Sequence, residues 1–289
     1  MGHQLNRPLS ASHLAERLGL PLTGLDVSIF AVRSLDALIE GTLCFAKAAP
    51  AGGIAVPAVI IAPPGTSPDL GAVIAATNPR LTFARALHLL TSEPGFIALT
   101  EPAVVDPTAQ VSPTAVLGKG VKVGARTVIG HYVVVADGVT IGDDCLIKSN
   151  TVIGEVGFGF ERDEIGIPIR ILHLGSVAIG NRVEIGSLNT VCRATLGCTI
   201  VEDDVKTDDH VHIAHNCRVR RGALLTACVE LSGGVDVGEF AWIGPNSSVI
   251  QKAVIGKHAF VGIGSNITKS VADRVAVAGN PARALSRSA

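Results

Sequence analysis

The sequence predicts a mainly β fold in which short strands stack as a coil, preceded by a small α/β domain. Three observations predict it: an apolar residue recurs with a spacing of six, glycine is frequent, and aromatic residues are scarce. Glycine accounts for 32 of the 289 residues, and aromatic residues for only 3% of them. Because ordinary cores rely on large aromatic side chains, a narrow interior filled by Val, Ile and Leu fits this composition better.

The spacing of six runs without a break from Val105 to Ile153 and again from Val219 to Ile267. Helices require apolar spacings of about 3 and 4 and single strands a spacing of about 2, so neither fits. If each hexad forms one flat side and one turn, three hexads close a triangular coil of about 18 residues, and stacked coils bury the aliphatic column. Glycine often follows the aliphatic residue, where a Cβ would crowd the turn or φ must be positive. We therefore predict a prism of stacked coils over residues 99–289.

Residues 1–98 lack this spacing and predict a small α/β domain. Ser10 to Gly19 has the pattern of a capped helix ended by glycine, Ile54 to Ala62 that of a buried strand, and Asn78 to Leu87 that of a second helix. A further segment, 157–175, interrupts the repeat inside the second domain. We expect this inserted loop to leave one corner of the prism, because functional residues concentrate on such loops.

Charge and cysteine usage narrow the possible partners and the compartment. The formal net charge is −1, with 24 Lys and Arg against 25 Asp and Glu, so no basic stripe is available for a nucleic acid. No window reaches the roughly 18 uninterrupted apolar residues of a membrane helix, and the first residues lack the apolar segment of a secretory signal. The six cysteines form no CxxC pair, which favours reduced thiols in a cytoplasmic protein.

Three of the nine histidines lie within the segment HVHIAHN, at His210, His212 and His215. Three roles are open for them: metal ligands, a catalytic base with its neighbours, or side chains exposed on an ordinary strand. Residues two apart on a strand share a face, whereas His212 and His215 come together only if the turn of the coil brings them there.

Several motifs occur in an order that resembles one family, the UDP-3-O-acylglucosamine N-acyltransferases of lipid A synthesis. They are Gly157-Phe158-Gly159-Phe160, Ile167-Pro168, the run from Gly175 to Gly186, and Ile213-Ala214-His215-Asn216. The repeats are similar to the hexapeptide repeats of left-handed parallel β-helices, which is the fold class expected for the prism. The resemblance implies a homotrimer with active sites between adjacent prisms. It also implies transfer of an acyl group from a phosphopantetheine thioester to the amine of a nucleotide-linked amino sugar.

The same resemblance implies that no cofactor is tightly bound, since an acyl carrier protein or coenzyme A brings the acyl group as co-substrate. It places the catalytic base at His215, the histidine of the IAHN motif. The chemistry agrees, because an amine that attacks a thioester loses a proton and imidazole suits its removal near neutral pH. Asp208 and its neighbour Asp209 are close in sequence, and we predict that Asp208 orients the ring. One coil of about 18 residues onward lie Gly233 and Gly234; the backbone N–H of Gly233 is predicted to stabilise the oxyanion.

Six residues are predicted to bind the acceptor substrate: Phe45, Phe158, Phe160, His212, Asn216 and Lys252. Phe158 and Phe160 could pack on the sugar or the acyl chain, or only anchor the loop. Lys252 falls where the family has a second histidine and could bind a phosphate or the carbonyl oxygen. Ala48 and Ala51 stand where the family usually has an asparagine and a tyrosine that helps to enclose the uracil, so the resemblance leaves the nucleotide open.

A motif after the last repeat supports a second interpretation of the donor. Gly279-Asn280-Pro281 resembles the last coil of acetyl-CoA-dependent hexapeptide acetyltransferases, where it lies beside the pantetheine arm, and these residues are the predicted donor site. The alternative function is therefore an acetyl-CoA-dependent N-acetyltransferase that acts on an amino sugar of a surface polysaccharide. His215 is the base in both interpretations.

Two functions of other classes fit the same prism. In γ-class carbonic anhydrases, three histidines bind zinc or iron across a subunit interface. His210 and His215 have the spacing of two such ligands, with His173 about two coils upstream. A scaffold of stacked coils would need no histidine in a cleft. The family motif around His215 favours the acyltransferase over both, and we expect no metal site.

Overall fold

The computed structural model describes residues 3–51 and 53–284, and the chain divides into two compact units. The first unit contains the chain up to Ala98 together with 159–175 and 195–197, and the second contains 99–158, 176–194 and the chain from Cys198 onward. Neither unit is therefore one continuous stretch of sequence.

Residues 3–51 and 53–98 form six strands and two α-helices: β1 (His3–Ser10), α1 (Ala11–Leu18), β2 (Leu22–Gly24), β3 (Ser28–Val32), β4 (Thr42–Phe45), β5 (Val59–Ala62), β6 (Ala72–Ala75) and α2 (Pro79–Ser92). A short 3-10 turn, Leu35–Ala37, precedes β4. The strands form one sheet in the order β1-β3-β4-β5-β6-β2, parallel in its centre and antiparallel at both edges. The small α/β domain predicted before the prism is confirmed.

Both helices begin where the sequence signals predict. Ser10 caps α1 by accepting a hydrogen bond from the backbone N–H of His13 at 3.2 Å, and Gly19 ends the helix with a φ of 65°. Asn78 caps α2 by accepting from the backbone N–H of Leu81 at 3.1 Å. The helices pack on one face of the sheet and bury side chains such as Leu14, Phe83 and Leu87.

The strand predicted from Ile54 to Ala62 is shorter in the structure, where it covers only Val59–Ala62. Pro57 interrupts the run, because proline lacks the N–H that a central strand must donate. Ile54 is nevertheless buried, with 1% of its surface exposed. The prediction is therefore correct for burial and too long for the strand.

The segment that interrupts the repeat forms a hairpin of the first unit. Its strands, Phe160–Arg162 and Pro168–Arg170, pair antiparallel. Two arginines of α2 bind this hairpin: Arg80 pairs with Glu161 at 2.7 Å and Arg85 with Glu164 at 2.6 Å. The prediction assigned 157–175 to the prism domain, whereas the contacts assign 159–175 to the first unit. The period of six gave no signal of those ion pairs.

The second unit is a three-sided coil of strands, which confirms the fold predicted from the spacing of six. Its three sheets are called the first, second and third faces. The first face consists of Val104–Val105, Lys122–Val123, Thr140–Ile141, Ser176–Ile179, Cys198–Val201, Arg218–Val219, Asp236–Val237 and Val254–Ile255. The second face consists of Gln110–Val111, Val128–Ile129, Leu146–Ile147, Glu184–Ile185, Lys206–Thr207, Leu224–Leu225, Trp242–Ile243, Phe260–Val261, Ala276–Ala278 and Arg283–Ala284. The third face consists of Val116–Leu117, Val134–Val135, Val152–Ile153, Thr190–Val191, His212–Ile213, Glu230–Leu231, Ser248–Val249 and Asn266–Ile267.

The register of the strands explains the unusual composition. Val123 pairs in parallel with Ile141, so one uninterrupted coil takes 18 residues. The second residue of each short strand points into the prism, as for Ile147 and Ile153, both of which are fully buried. The buried cluster of the prism consists of aliphatic residues, alanine and cysteine, without an aromatic ring. The interior is too narrow for large rings, which explains why aromatic residues are scarce.

Glycine allows neighbouring coils to approach at the corners between the faces. A Cβ on Gly124 would lie 2.3 Å from Oδ1 of Asp143 and 2.6 Å from the carbonyl carbon of Gly142. Close packing between coils, rather than a positive φ, therefore requires glycine at this position. Asp143 in turn accepts a hydrogen bond from the backbone N–H of Ala125 at 2.8 Å and links the two coils.

No helix within residues 3–51 and 53–284 is long and apolar enough to cross a membrane. The cysteines are free thiols, and burial raises the pKa of Cys44 and of Cys217 to about 12. These two thiols stay protonated and serve as small packing residues.

Candidate active site

His215 lies at the corner that follows the third face, two residues after the strand His212–Ile213. Its imidazole extends toward the next coil and lies over Gly233. A Cβ on Gly233 would be 2.7 Å from Cε1 and 2.9 Å from Nε2 of the ring. The φ of Gly233 is not positive, so room for the imidazole, and not the backbone conformation, requires glycine there. The structure places Gly233 beside His215, as counting one coil predicts.

Asn216 determines which nitrogen of His215 carries the proton. Its side-chain oxygen Oδ1 lies 2.9 Å from Nδ1 of the imidazole. Because a carbonyl oxygen only accepts hydrogen bonds, the proton of the neutral ring lies on Nδ1 and the lone pair on Nε2. A histidine in this tautomer can remove a proton from a substrate through Nε2.

The backbone N–H of Gly233 is the second chemical group of this corner. Within residues 3–51 and 53–284, no hydrogen-bond acceptor lies opposite it. At an equivalent position on the first face, Asp203 accepts the N–H of Asn181 at 2.8 Å. One coil beyond Gly233 stands an exposed Gln251 instead of such an aspartate. An unpaired N–H beside a base is the arrangement that stabilises an oxyanion.

His212 lies on the third face next to this corner, and its strand pairs with Thr190 on one side and Glu230 on the other. Nδ1 of its ring lies 2.5 Å from Oγ1 of Thr190. Burial lowers the pKa of His212; the carboxylate of Glu230 opposes this shift, and the charge of protonated His215 adds to it. His212 is therefore mostly neutral at neutral pH.

The prism resembles known transferases in sequence and in shape. The family model of the bacterial transferase hexapeptide, with six repeats, matches residues 120–155. The solved UDP-N-acetylglucosamine acyltransferase of Francisella novicida is 25% identical and superposes with a TM-score of 0.55, covering 65% of this chain and 70% of its own. The prism is a left-handed parallel β-helix of hexapeptide repeats, as the resemblance implies.

A relative named UDP-3-O-acylglucosamine N-acyltransferase, from Wolinella succinogenes, is 35% identical over 302 aligned positions that cover 94% of this chain and 93% of the relative. The chain belongs to the UDP-3-O-acylglucosamine N-acyltransferase family. A second relative of this name, from Janthinobacterium sp., matches over part of its length: it is 35% identical over 126 residues, which span 44% of this chain and 36% of the relative.

The structure does not bring Asp208 to His215 within one chain. Asp208 lies at the corner before the third face, where its Oδ1 accepts a hydrogen bond from the backbone N–H of Asp209 at 2.8 Å, whereas His215 lies at the corner after that face. The prediction that Asp208 orients the ring relied on closeness in sequence, and one side of the prism separates the two residues. Within the IAHN motif, the side chain of Asn216 contacts the ring instead.

Lys252 and the predicted donor residues lie farther along the prism, on the side of the third face. Lys252 occupies the corner two coils after Asn216; its side chain is exposed, and its Cγ lies 3.5 Å from where a Cβ on Gly234 would stand. The carbonyl of Gly279 accepts the backbone N–H of Asn266 at 3.0 Å. The segment Gly279–Pro281 therefore lies against the last strand of the third face.

The three predicted aromatic contacts differ in their surroundings. The ring of Phe45, at the end of β4, lies 4.9 Å from that of Phe83. Phe160 lies in the hairpin of the first unit, where the guanidinium of Arg170 is 4.5 Å from its ring centroid. Phe158 belongs to the second unit, and 88% of its surface is exposed. Phe45 and Phe160 therefore each contact another side chain of the first unit.

Among the residues that the structure describes, no group of three or more His, Cys, Asp and Glu side chains could hold a metal ion. His210 lies at the corner before the third face, with a φ of 60°, and His215 at the corner after it. His173 belongs to the first unit. His210 and His215, two of the three histidines considered for a carbonic anhydrase site, therefore lie at different corners of the prism.

Two neighbours of His212, Thr190 and Glu230, were not predicted from the sequence. Glu230 could have been predicted, because it lies one regular coil after His212. Thr190 could not, because it lies 22 residues before His212, and counting back by one regular coil reaches Ala194 instead.

Proposed function

We propose that the protein transfers an acyl group from a phosphopantetheine thioester to the amine of a UDP-linked 3-O-acylglucosamine. The observation that carries the proposal is the imidazole of His215 over Gly233, with Nδ1 held by Asn216 and the N–H of Gly233 unpaired in the described part of the chain. A base beside an oxyanion donor suits acyl transfer. The relatives from Wolinella and Janthinobacterium carry the name of this reaction.

The geometry gives each group a step. Nε2 of His215 removes a proton from the attacking amine while the amine nitrogen bonds to the carbonyl carbon of the thioester. The carbonyl oxygen becomes an anion and accepts a hydrogen bond from the N–H of Gly233. When the intermediate collapses, the C–S bond breaks, the imidazolium gives its proton to the sulfur, and the amide and the free thiol are released. Asn216 stabilises the imidazolium through Oδ1.

We place the donor along the third face. Beyond His212, the outward side chains of successive strands are Glu230, Ser248 and Asn266, and Gly279–Pro281 lie against the last of these strands. Adjacent strands are about 4.8 Å apart, so the row from His212 to Asn266 spans about 14 Å. That length suits an extended pantetheine arm carried by an acyl carrier protein or by coenzyme A.

For the acceptor, Lys252 suits a phosphate of the nucleotide, because it is an exposed ammonium group at the same corner as Asn216. Phe158 is one aromatic candidate for the sugar or the acyl chain, and 88% of its surface is exposed. The other two candidates, Phe45 and Phe160, contact Phe83 and Arg170.

We also propose a cytoplasmic homotrimer. Trp242 and Phe260 stack on the second face with ring centroids 6.5 Å apart, and 40% and 47% of their surfaces are exposed. Exposed aromatic strips are typical of contacts between copies, and the free thiols fit a reducing compartment. Light scattering should give three times 29.7 kDa for the wild type and a lower mass for Trp242→Lys. A monomeric wild type would contradict the trimer.

The test of the reaction is turnover of His215→Ala with a UDP-linked 3-O-acylglucosamine and an acyl carrier protein thioester, repeated with the coenzyme A thioester. We expect a loss of about 10² to 10⁴-fold, because the base is gone, in a protein of unchanged mass. The matched control is His210→Ala, whose exposed imidazole lies at another corner, and it should keep wild-type turnover. A folded His215→Ala variant with wild-type turnover would contradict the proposal.

One observation favours an alternative, the acetyl-CoA-dependent N-acetyltransferase: Gly279–Pro281 lie at the end of the third face. Thermal shift with UDP-, dTDP- and GDP-linked amino sugars, each with and without acetyl-CoA, separates the two functions. Stabilisation by a UDP-glucosamine derivative without a response to acetyl-CoA supports the lipid A reaction. A response to acetyl-CoA together with another nucleotide sugar supports the alternative.

A further inference from the structure

We infer that His212 donates a hydrogen bond to the substrate and that Thr190 is the positioning residue that prepares it to do so. The inference rests on the proposed function and deepens it. The imidazoles of His212 and His215 are neighbours held in opposite tautomers, so that one donates a hydrogen bond and the other accepts a proton.

The contact with Thr190 sets the tautomer of His212. Oγ1 of Thr190 lies 2.5 Å from Nδ1 of the ring. A hydroxyl can donate or accept, and hydrogen bonds from O–H donors are generally shorter than those from N–H donors. We therefore assign the hydroxyl as the donor and Nδ1 as the acceptor, which leaves the proton of the neutral ring on Nε2. At His215 the carbonyl oxygen of Asn216 imposes the reverse arrangement.

The surroundings of His212 keep its ring uncharged while His215 takes up and releases a proton. The ring is half-buried, and a second positive charge beside protonated His215 is unfavourable. Glu230, on the next strand, is the acidic group that favours the protonated form of His212 and so opposes the lowering of its pKa. Its Oε1 accepts a hydrogen bond from the hydroxyl of Ser232 at 3.2 Å, which satisfies part of the carboxylate.

A neutral ring with its proton on Nε2 can donate to an oxygen but cannot take a proton from an amine. The site therefore has one base, His215, and one donor, His212. The acceptor of the hydrogen bond is an uncharged oxygen of the substrate, either the thioester carbonyl or an oxygen of the sugar. Steady-state kinetics with each substrate varied in turn distinguish between these two oxygen acceptors.

The first test compares the steady-state kinetics of three variants, with the concentration of each substrate varied in turn. Thr190→Val keeps the shape of the side chain and removes the hydroxyl, so KM for one substrate should rise about 3- to 10-fold with little change in kcat. His212→Gln keeps an N–H near the position of Nε2 and should stay within about threefold of wild type. His212→Leu has no donor and should lower kcat/KM about 10- to 100-fold.

The pattern of effects decides the role. A KM effect on the acyl donor assigns the thioester carbonyl, and one on the nucleotide sugar assigns an oxygen of the sugar. The ascending limb of the pH profile of kcat/KM should be unchanged in His212→Gln, because His215 remains the base. Equal losses in His212→Gln and His212→Leu, or loss of that limb in His212→Gln, would overturn the inference.

A second measurement does not depend on turnover. Solid-state NMR of protein labelled with ¹⁵N-histidine should show an unprotonated Nδ1 for His212, whose signals are identified by their absence from His212→Gln. In Thr190→Val this signal should decrease as the other tautomer appears. A protonated Nδ1 in the wild type would overturn the inference even in an active enzyme. The expected signal in a protein without acyltransferase activity would instead contradict the proposed function alone.

Discussion

The three corners of one coil carry Asp203, Asp209 and His215 at equivalent positions, each two residues after its strand. The two aspartates accept backbone N–H groups of the preceding coil, Asp203 from Asn181 at 2.8 Å and Asp209 from Ser187 at 2.7 Å. The imidazole of His215 extends in the opposite direction, toward the following coil. The corners therefore share one backbone plan and differ in where a single side chain points.

This difference separates the structural corners from the candidate catalytic one. An aspartate at this position holds two coils together through a charge-assisted hydrogen bond. At His215 the ring extends toward the coil above, where glycine makes room for it. The repeat can carry this exception because the other two corners of the same coil keep their links.

Among the substitutions that test this difference between corners, one that fills the space over Gly233 should have the largest effect on turnover. In Gly233→Ala the new Cβ would stand 2.7 Å from Cε1 of His215, so the ring must move from its place beside the N–H. We expect turnover to fall by about 10²-fold while the melting temperature changes little, measured by steady-state kinetics and calorimetry.

The control for that variant is its neighbour. Gly234 has a φ of 72°, so Gly234→Ala strains the backbone by about 1 kcal/mol or more and should lower the melting temperature while turnover stays near wild type. If the two variants lose turnover equally, the space over Gly233 has no special role.

A smaller effect on kcat is expected when the hydrogen-bond acceptor of Nδ1 of His215 is removed. Asn216 has a φ of 62°, a conformation that glycine tolerates, so Asn216→Gly removes the acceptor without backbone strain. We expect kcat to fall about 10-fold, because the ring then populates both tautomers. Asn216→Asp keeps an acceptor and should retain most of the activity; a loss as large as that of Asn216→Gly would argue against the orienting role.

The smallest effect concerns a structural corner. The backbone N–H of Asn181 is the main cause of the lowered pKa of Asp203. A carboxylate with a lowered pKa stabilises the fold above its usual value of 3.8 and loses this contribution as the pH falls through the lowered pKa. Asp203→Ala should therefore cost about 1 kcal/mol in urea unfolding at pH 7 and progressively less as the pH falls below 3.8, with turnover unchanged. A cost that stays the same as the pH falls would contradict the charge-assisted link.

The sequence predicts the prism well because each uninterrupted coil has the same length. For that reason counting from His215 reaches Gly233, since no insertion lies between them. The same counting fails toward Thr190, because the intervening coil is longer. Thus a repeat predicts spatial neighbours only as far as its period is unbroken.

Elsewhere the structure separates residues that are close in sequence and brings together residues that are far apart. Asp208 is seven residues from His215, yet it lies at another corner, because about six residues already form a side and a turn. The hairpin at 159–175 contacts α2 through arginine–glutamate pairs, and charges far apart in sequence carry no signal of their pairing. The helices α1 and α2 were predictable because their caps are local.

During synthesis, Arg80 and Arg85 leave the ribosome long before their partners. Glu161 follows Arg80 by 81 residues and Glu164 follows Arg85 by 79 residues, so the first three turns of the solenoid emerge in between. Domains of a nascent chain usually fold in order from the N-terminus. Here the earlier domain remains incomplete until the later one has begun to stack.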